Sequence, residues 1–229
     1  MSDYKNIRGK KVKFLTTDLS GEQSEGQLIY SDTDYDFKTV ISTAAWSAGG
    51  SMVTATGFGT HSGPNTNSFY VGGLPVINTT QHYNGVIWST GGNYPSSRYG
   101  LASAGTQTAG LGFGGYANPG GASALTEEYD GTSWTAGGNM GAARYSLGSA
   151  GLQTAALAFG GSPGGVATTE QYDGSSWTST ASLATARVQL AGLGTKTAGL
   201  ATGGRNPSAS NATEEFTDIV NEVTSLDVS

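Results

Sequence analysis

From Arg144 to Phe159 the chain reads RYSLGSAGLQTAALAF: two short runs in which small and apolar residues alternate, broken at Gln153-Thr154. Alternation with period two is the mark of a strand with one buried face. A second kind of pair, Ala124–Tyr129 and Thr132–Thr135, is split by Asp130-Gly131, and the same dipeptide chemistry recurs at Asn84-Gly85 and Asp173-Gly174. Such dipeptides are the strongest short hairpin signals, because the favoured type I′ turn needs positive φ at both central residues. The pattern therefore predicts a repeating unit of four short strands: Arg144–Ser149, Thr154–Phe159, one of the Ala124–Tyr129 type and one of the Thr132–Thr135 type.

The offsets between landmark residues show that the unit is a true repeat. Trp46, Trp88, Trp134 and Trp177 are 42, 46 and 43 residues apart, a period in the range of propeller blades. Tyr83, Tyr129 and Tyr172 each stand five residues before a Trp, and Arg98, Arg144 and Arg187 each follow a Trp by ten, with Thr56 at that place in the first copy. Gly-Gly pairs at 72–73, 114–115, 160–161 and 203–204 begin sixteen residues beyond those positions. Gln107, Gln153 and Lys196 precede Thr-Ala in matching places. Length varies between the Gly-Gly and the Tyr, as in 116–125.

A small sheet cannot bury its faces alone, so neighbouring repeats must stack, radially as a propeller or linearly as a solenoid. The small residues of Ala155–Phe159 and Ala198–Ala201 suit an inner position near an axis. The Trp, Tyr and Arg landmarks are expected to pack between blades, each guanidinium bonding loop carbonyls of a neighbouring blade in preference to lining a channel. At the C-terminus Asn211–Phe216 repeats the Thr126–Tyr129 strand without a following Trp, and 218–228 is expected to add a last strand.

Residues 1–45 differ from this body. Lys11–Leu15, Gln27–Tyr30 and Phe37–Val40 predict three strands, the last two joined by a polar turn. Two domains follow: 1–45, a small β module for attachment or oligomerisation, and 46–229, the repeat domain. The fold class is all-β, with about four four-stranded blades, or five if the N-terminal module completes one.

Composition sharpens this picture. With 37 Gly, 12% charged residues and much Ser, Thr and Ala, the chain is poor in helix formers. It has no Cys, so the chain itself has no disulfide or thiolate chemistry. The start lacks the apolar run of a secretory signal and no segment reads as a membrane span, so a soluble, cytoplasmically made protein without membrane insertion is expected. The net charge is −6, yet Lys5, Arg8, Lys10, Lys11 and Lys13 fall within the first thirteen residues. The acidic body disfavours nucleic acid as a partner, and the basic arm is a candidate docking element.

Motifs for chemistry are weak. Asp32, Asp34 and Asp36 have the opening spacing of a calcium loop, but Phe37 and Thr43 stand where Gly and Glu are needed. Gly110–Gly115 matches the dinucleotide fingerprint formally, without the helix that must follow. The paired Glu127-Glu128 and Glu214-Glu215 are strand neighbours and point to opposite faces. His61 and His82 are isolated, no Gly-x-Ser-x-Gly elbow occurs, and no catalytic residue, metal or cofactor is assigned.

The order Gly114-Gly115, Tyr129, Trp134, Arg144, repeated at Gly160-Gly161, Tyr172, Trp177, Arg187, resembles the kelch family, which implies a β-propeller. The opening Tyr4–Gly9, the segments Glu25–Tyr30 and Phe37–Thr39, and repeats of the 148–161 type make the whole chain similar to kelch-like virion proteins of tailed phages, especially phages of marine cyanobacteria. That resemblance implies a non-enzymatic fibre, appendage or decoration protein located in the virion. Its partners would be other virion proteins and further copies of itself, with threefold assembly the arrangement of fibre-type relatives. A second expectation is a lectin-like propeller reading host surface glycans, with Tyr94 and Tyr116 as candidate loop contacts.

Overall fold

The computed structural model of the 229-residue chain describes residues 13–15, 28–31, 36–39 and 48–218. The chain divides into two compact units, Met1–Ala48 and Gly49–Ser229. In the first, β1 (Lys13–Leu15), β2 (Leu28–Ser31) and β3 (Asp36–Thr39) form one sheet in that order. β2 and β3 pair antiparallel, with Tyr30 opposite Phe37. β1 runs parallel to β2 with Phe14 opposite Tyr30, a non-local pairing that alternation alone does not specify. Lys13 falls in β1, whereas Lys5, Arg8, Lys10, Lys11, Asp32, Asp34, Trp46 and the expected strand beyond Asp218 lie outside the described residues.

The second unit is a four-bladed β-propeller arrangement. Blade I is β4 (Thr60–Ser62), β5 (Ser68–Val71), β6 (Thr80–Tyr83) and β7 (Trp88–Thr90), in sequence order. Blade II is β8 (Tyr99–Thr106), β9 (Ala109–Ala117), β11 (Thr126–Tyr129) and β12 (Trp134–Ala136), with the two-residue β10 (Gly121–Ala122) hairpinned onto the end of β9. Blade III is β13 (Gly148–Leu152), β14 (Ala155–Phe159), β15 (Thr169–Tyr172) and β16 (Trp177–Thr180). Blade IV shows β17 (Ala191–Gly194), β18 (Ala198–Thr202) and β19 (Thr213–Thr217), so among the described residues it has three strands where four were expected. All pairings within the blades are antiparallel. β4, β8, β13 and β17 are innermost and stand side by side in that order. All four line an axial cavity of about 210 Å³, through Ser62, Ser103, Ser149 and Gly192 among others.

Three cores lie between consecutive blades. Phe69, Val71, Tyr94, Leu101, Tyr129 and Trp134 join I to II. Leu111, Phe113, Met140, Leu147, Ala156 and Tyr172 lie between II and III, and Leu157, Phe159, Leu190 and Ala201 between III and IV. Small inner-strand residues such as Ala102, Ala104 and Ala150 are buried, which lets the blades approach closely near the axis.

The innermost strand of blade III begins at Gly148, four residues later than the alternation predicts. The reason is Ser146, whose φ is 53°. Phe58 and Gln189 hold the same position in blades I and IV, both at φ 55°, and in blade II it is Gly100 at φ 61°. This left-handed residue ends the extended run and turns its backbone toward the neighbouring blade. The amide of Gly100 donates to Phe58 O (2.8 Å), that of Ser146 to Gly100 O (2.6 Å) and that of Gln189 to Ser146 O (2.8 Å). A non-glycine residue held there costs roughly 1–3 kcal/mol, which the inter-blade bond offsets.

Candidate functional site

A second belt holds the blades in place and sets where their loops emerge. The amides of Gly73, Gly115 and Gly161 donate to the backbone carbonyls of Arg98, Arg144 and Arg187 of the next blade, each at 2.8 Å. Each arginine then reaches forward with Nη1 to the first glycine of its own blade's pair: Arg98 to Gly114 O (3.1 Å), Arg144 to Gly160 O (2.9 Å) and Arg187 to Gly203 O (2.9 Å). The sixteen-residue spacing from Arg to Gly-Gly is the length of chain that closes this contact. In blade I, Thr56 Oγ1 makes the shorter version, 3.3 Å to Gly72 O. The glycines are required here: the first of each pair sits at φ 64–69°, and a Cβ on Gly114 would meet Arg144 O at 2.6 Å.

Each guanidinium also meets a carboxylate: Arg98 with Glu127 (2.9 Å), Arg144 with Glu170 (2.6 Å) and Arg187 with Glu214 (2.7 Å). The expected loop carbonyls are therefore those of the arginine's own blade, not the neighbour's, and the acidic partner went unforeseen. The signal was present in the repeat: where Thr56 replaces Arg, Gln81 replaces Glu and bonds the Thr54 backbone instead. Burial pushes the Arg144 guanidinium below its ordinary value, and Glu170 opposes that shift. The other carboxylate of the doublet points away, as strand geometry requires. Glu128 Oε1 accepts the Tyr172 hydroxyl of the next blade at 2.6 Å, and burial together with this bond pushes that hydroxyl up to about 12.

The aromatic landmarks sit at the blade interfaces. Trp134 Nε1 donates back to blade I at Thr80 Oγ1 (2.9 Å) and Gly92 O (3.1 Å), and Trp177 Nε1 to Thr126 Oγ1 of blade II (2.9 Å). The Tyr129 hydroxyl lies 2.8 Å from His82 Nε2, and burial lowers the pKa of that imidazole. In blade I, Tyr83 packs on Trp88 with centroids 5.0 Å apart, and its hydroxyl donates to the nearby Gly85 carbonyl at 3.0 Å. Gln107 and Gln153 each reach back to two carbonyls of the preceding blade, Gln153 to Gly110 O and Tyr129 O at 2.9 Å.

With these groups engaged in the scaffold, what is presented outward is the end where the second and third strands of each blade are joined. Its loops carry Pro75, Pro119, Pro163 and Pro207, each after a cis peptide bond. Here the residues next to the belt, Tyr99 after Arg98, Tyr116 after Gly115 and Tyr145 after Arg144, come together. The Tyr99–Tyr116 centroids are 5.4 Å apart and Tyr116–Tyr145 5.2 Å, the latter edge to face, and all three rings are partly exposed. Beside them, Ser162, Val188, Arg205 and Asn206 border an open depression of about 280 Å³. Tyr116 lies near the end of β9 and is partly exposed. Tyr94 is not: it is 1% exposed, donates its hydroxyl to Glu127 and lies under the Arg98 guanidinium, 5.2 Å from ring centroid to Cζ. Its place is the Met140 and Leu183 position of the later repeats, a core site. Sequence reasoning took its loop location for exposure, and missed Tyr99 and Tyr145.

The arrangement offers flat aromatic faces, amide and hydroxyl groups, and the guanidinium of Arg205, whose Nε donates to Gln189 Oε1 at 2.7 Å. Among the described residues there is no group of three His, Cys, Asp or Glu able to hold a metal, and there is no helix, so none long and apolar enough to cross a membrane. Asp130 and Asp173, whose pKa values are lowered by hydrogen bonds from the turn that each caps, serve the hairpins. No protein-family model matches the chain, and no curated protein is similar to it.

Proposed function

We propose that this protein is a non-enzymatic component of a tailed-phage virion, of fibre, appendage or decoration type, which displays the propeller outward and attaches through its N-terminal module. The observation that carries the reading is how the charged and aromatic landmarks are used: Arg98, Arg144, Arg187 and their glutamates are consumed in holding blades, as are Trp134, Trp177, Tyr129 and Tyr172. The buried guanidinium groups have carboxylate or carbonyl partners, and the length of the repeats varies between the Gly-Gly and the Tyr. The resemblance of the N-terminal segments and repeats to kelch-like virion proteins supplies the setting. Labelling purified particles with antibody to residues 49–218 tests it: the reading requires regular, stoichiometric labelling, and particles free of the protein would sink it. Deleting residues 1–45 should abolish incorporation while leaving the propeller folded.

A second reading is favoured by the Tyr99–Tyr116–Tyr145 cluster: glycan recognition on the loop end. Exposed aromatic faces stack on the C–H faces of sugar rings, and the neighbouring amides and hydroxyls supply orienting hydrogen bonds. Saturable binding on a glycan array that Tyr116→Ala removes is the result this reading needs.

A further inference from the structure

The two ends of the propeller carry different charge. The turns between first and second strands and between third and fourth strands share one end, where Asp130, Asp173, Asp218 and Lys196 stand. The proline-bearing loops and the segments that lead from one blade to the next share the other end. Among the described residues, those loops and segments contain no Asp, Glu or Lys and four arginines. Three of these, Arg98, Arg144 and Arg187, are buried and paired with Glu127, Glu170 and Glu214. The fourth is Arg205, which is exposed and lines the depression of about 280 Å³ between blades III and IV. No Asp or Glu among the described residues lines that depression. An anion approaching this end therefore meets a guanidinium and no uncompensated carboxylate, although the chain as a whole is acidic.

The repeat places Arg205 and a neighbour aims it. Arg205 follows Gly203-Gly204 as Tyr116 follows Gly114-Gly115 and Ser162 follows Gly160-Gly161, so it holds the rim position of Tyr116 two blades further on. Tyr145 bridges to Ser162 and Val188 to Arg205, and Ser162 and Val188 line the depression together. The rim is thus continuous from Tyr99 and Tyr116 through Tyr145 to the guanidinium. Arg205 Nε donates to Gln189 Oε1 at 2.7 Å. Gln189 occupies the left-handed belt position, at φ 55°, which Gly100 fills in blade II without strain. What the glutamine adds there is the bond that fixes the guanidinium plane. So oriented, the fork of Nη1 and Nη2 has the geometry that takes a carboxylate or a sulfate through two parallel hydrogen bonds. The facing wall has room for a ring, because a Cβ on Gly164 would meet nothing within 4 Å. Asn206 Nδ2 donates to Ala186 O at 3.0 Å, which steadies the amide whose Oδ1 can accept a hydroxyl.

We infer that the loop end is a site for an acidic glycan: Arg205 holds the carboxylate or sulfate of one sugar in the depression, and the tyrosine arc carries the faces of the adjoining sugar rings. The inference rests on the glycan reading of the Tyr99–Tyr116–Tyr145 cluster and adds to it the charge of the ligand. The division of labour follows from the chemistry of the two parts. Aromatic faces stack on acidic and neutral sugars alike, whereas the guanidinium discriminates between them.

The test uses the full chain on an array of uronate-bearing, sialic acid-bearing and sulfated glycans, each printed beside its carboxyl-reduced or desulfated counterpart, with affinities of the bound pairs then measured by titration. An acidic member should bind saturably and about tenfold tighter than its neutral counterpart, and the class that shows the preference tells a carboxylate from a sulfate. Arg205→Gln should abolish the preference while the melting temperature stays within a few degrees, since the side chain is exposed. Gln189→Gly relieves the strained backbone and removes the orienting amide, so it should weaken acidic binding several-fold with no loss of melting temperature, a combination that a purely structural role does not produce. Equal binding of acidic and neutral members, lost in Tyr116→Ala, overturns the acidic ligand and leaves the glycan reading standing. A preference that persists in Arg205→Gln overturns the site. No saturable binding to any glycan of the array overturns this inference and the glycan reading together.

Discussion

Arg144 Nη2 and Glu170 Oε1 meet 2.6 Å apart inside blade III, with 1% and 5% of their side-chain surfaces exposed. The pair recurs in blades II and IV and is exchanged as a unit in blade I, where Thr56 keeps the bond to the Gly72 carbonyl and Gln81 bonds the Thr54 backbone, without charge. Removing one member leaves the other buried and uncompensated, which costs about 3–5 kcal/mol, whereas replacing both by a neutral solution is often tolerated. Glu170→Gln or Arg144→Thr alone should therefore lower stability by that amount. The double variant should recover more than half of it, read from urea unfolding midpoints with unchanged slopes.

The left-handed residues two positions beyond each arginine make opposite predictions for two chemically mild changes. Ser146 at φ 53° becomes unstrained as glycine, so Ser146→Gly should be neutral or stabilising by up to about 1 kcal/mol. Gly100 at φ 61° acquires strain as alanine, and its new Cβ would meet Ser146 Oγ at 3.2 Å. Gly100→Ala should cost about 1–3 kcal/mol. Thermal unfolding of the two variants side by side distinguishes them.

His82 gives the I–II interface a pH dependence. Burial lowers its folded pKa below the ordinary 6.5, so around and below pH 6.5 the unfolded chain binds the extra proton first and stability falls as the pH drops toward the folded value. Above that window the contribution is fully present. His82→Gln, which copies Gln171 at the same repeat position, should flatten the loss of melting temperature between pH 7.5 and 5. An imidazole titration by NMR should place His82 below the ordinary 6.5.

The loop end and the core make different demands on tyrosine. Tyr116→Ala should leave the melting temperature within a few degrees and remove binding to any glycan the propeller recognises. Tyr94→Ala removes a buried ring from the I–II core and leaves Glu127 without its hydroxyl donor, and should cost about 3–5 kcal/mol. If a ligand is found whose affinity falls equally with both, after correction for unfolding, the loop-end site is wrong.

Local chemistry and internal repetition by themselves determined the all-β class, the blade period, the tryptophans as recurring landmarks and the hairpins at Asn84-Gly85, Asp130-Gly131 and Asp173-Gly174, although these are four-residue connections in which only the glycine takes positive φ, not type I′ turns. These are readable because turn stereochemistry and strand alternation act over a few residues, and because four copies reveal which positions are held constant. The partners of those landmarks were decided only in three dimensions. Arg144 selects a glutamate 26 residues on, in the third strand of its own blade. Trp134 selects Thr80, 54 residues back, and Tyr94 turns inward from a loop that reads as surface. Each depends on which strand faces which after the sheets twist and stack, a relation between distant backbone segments that no local pattern carries.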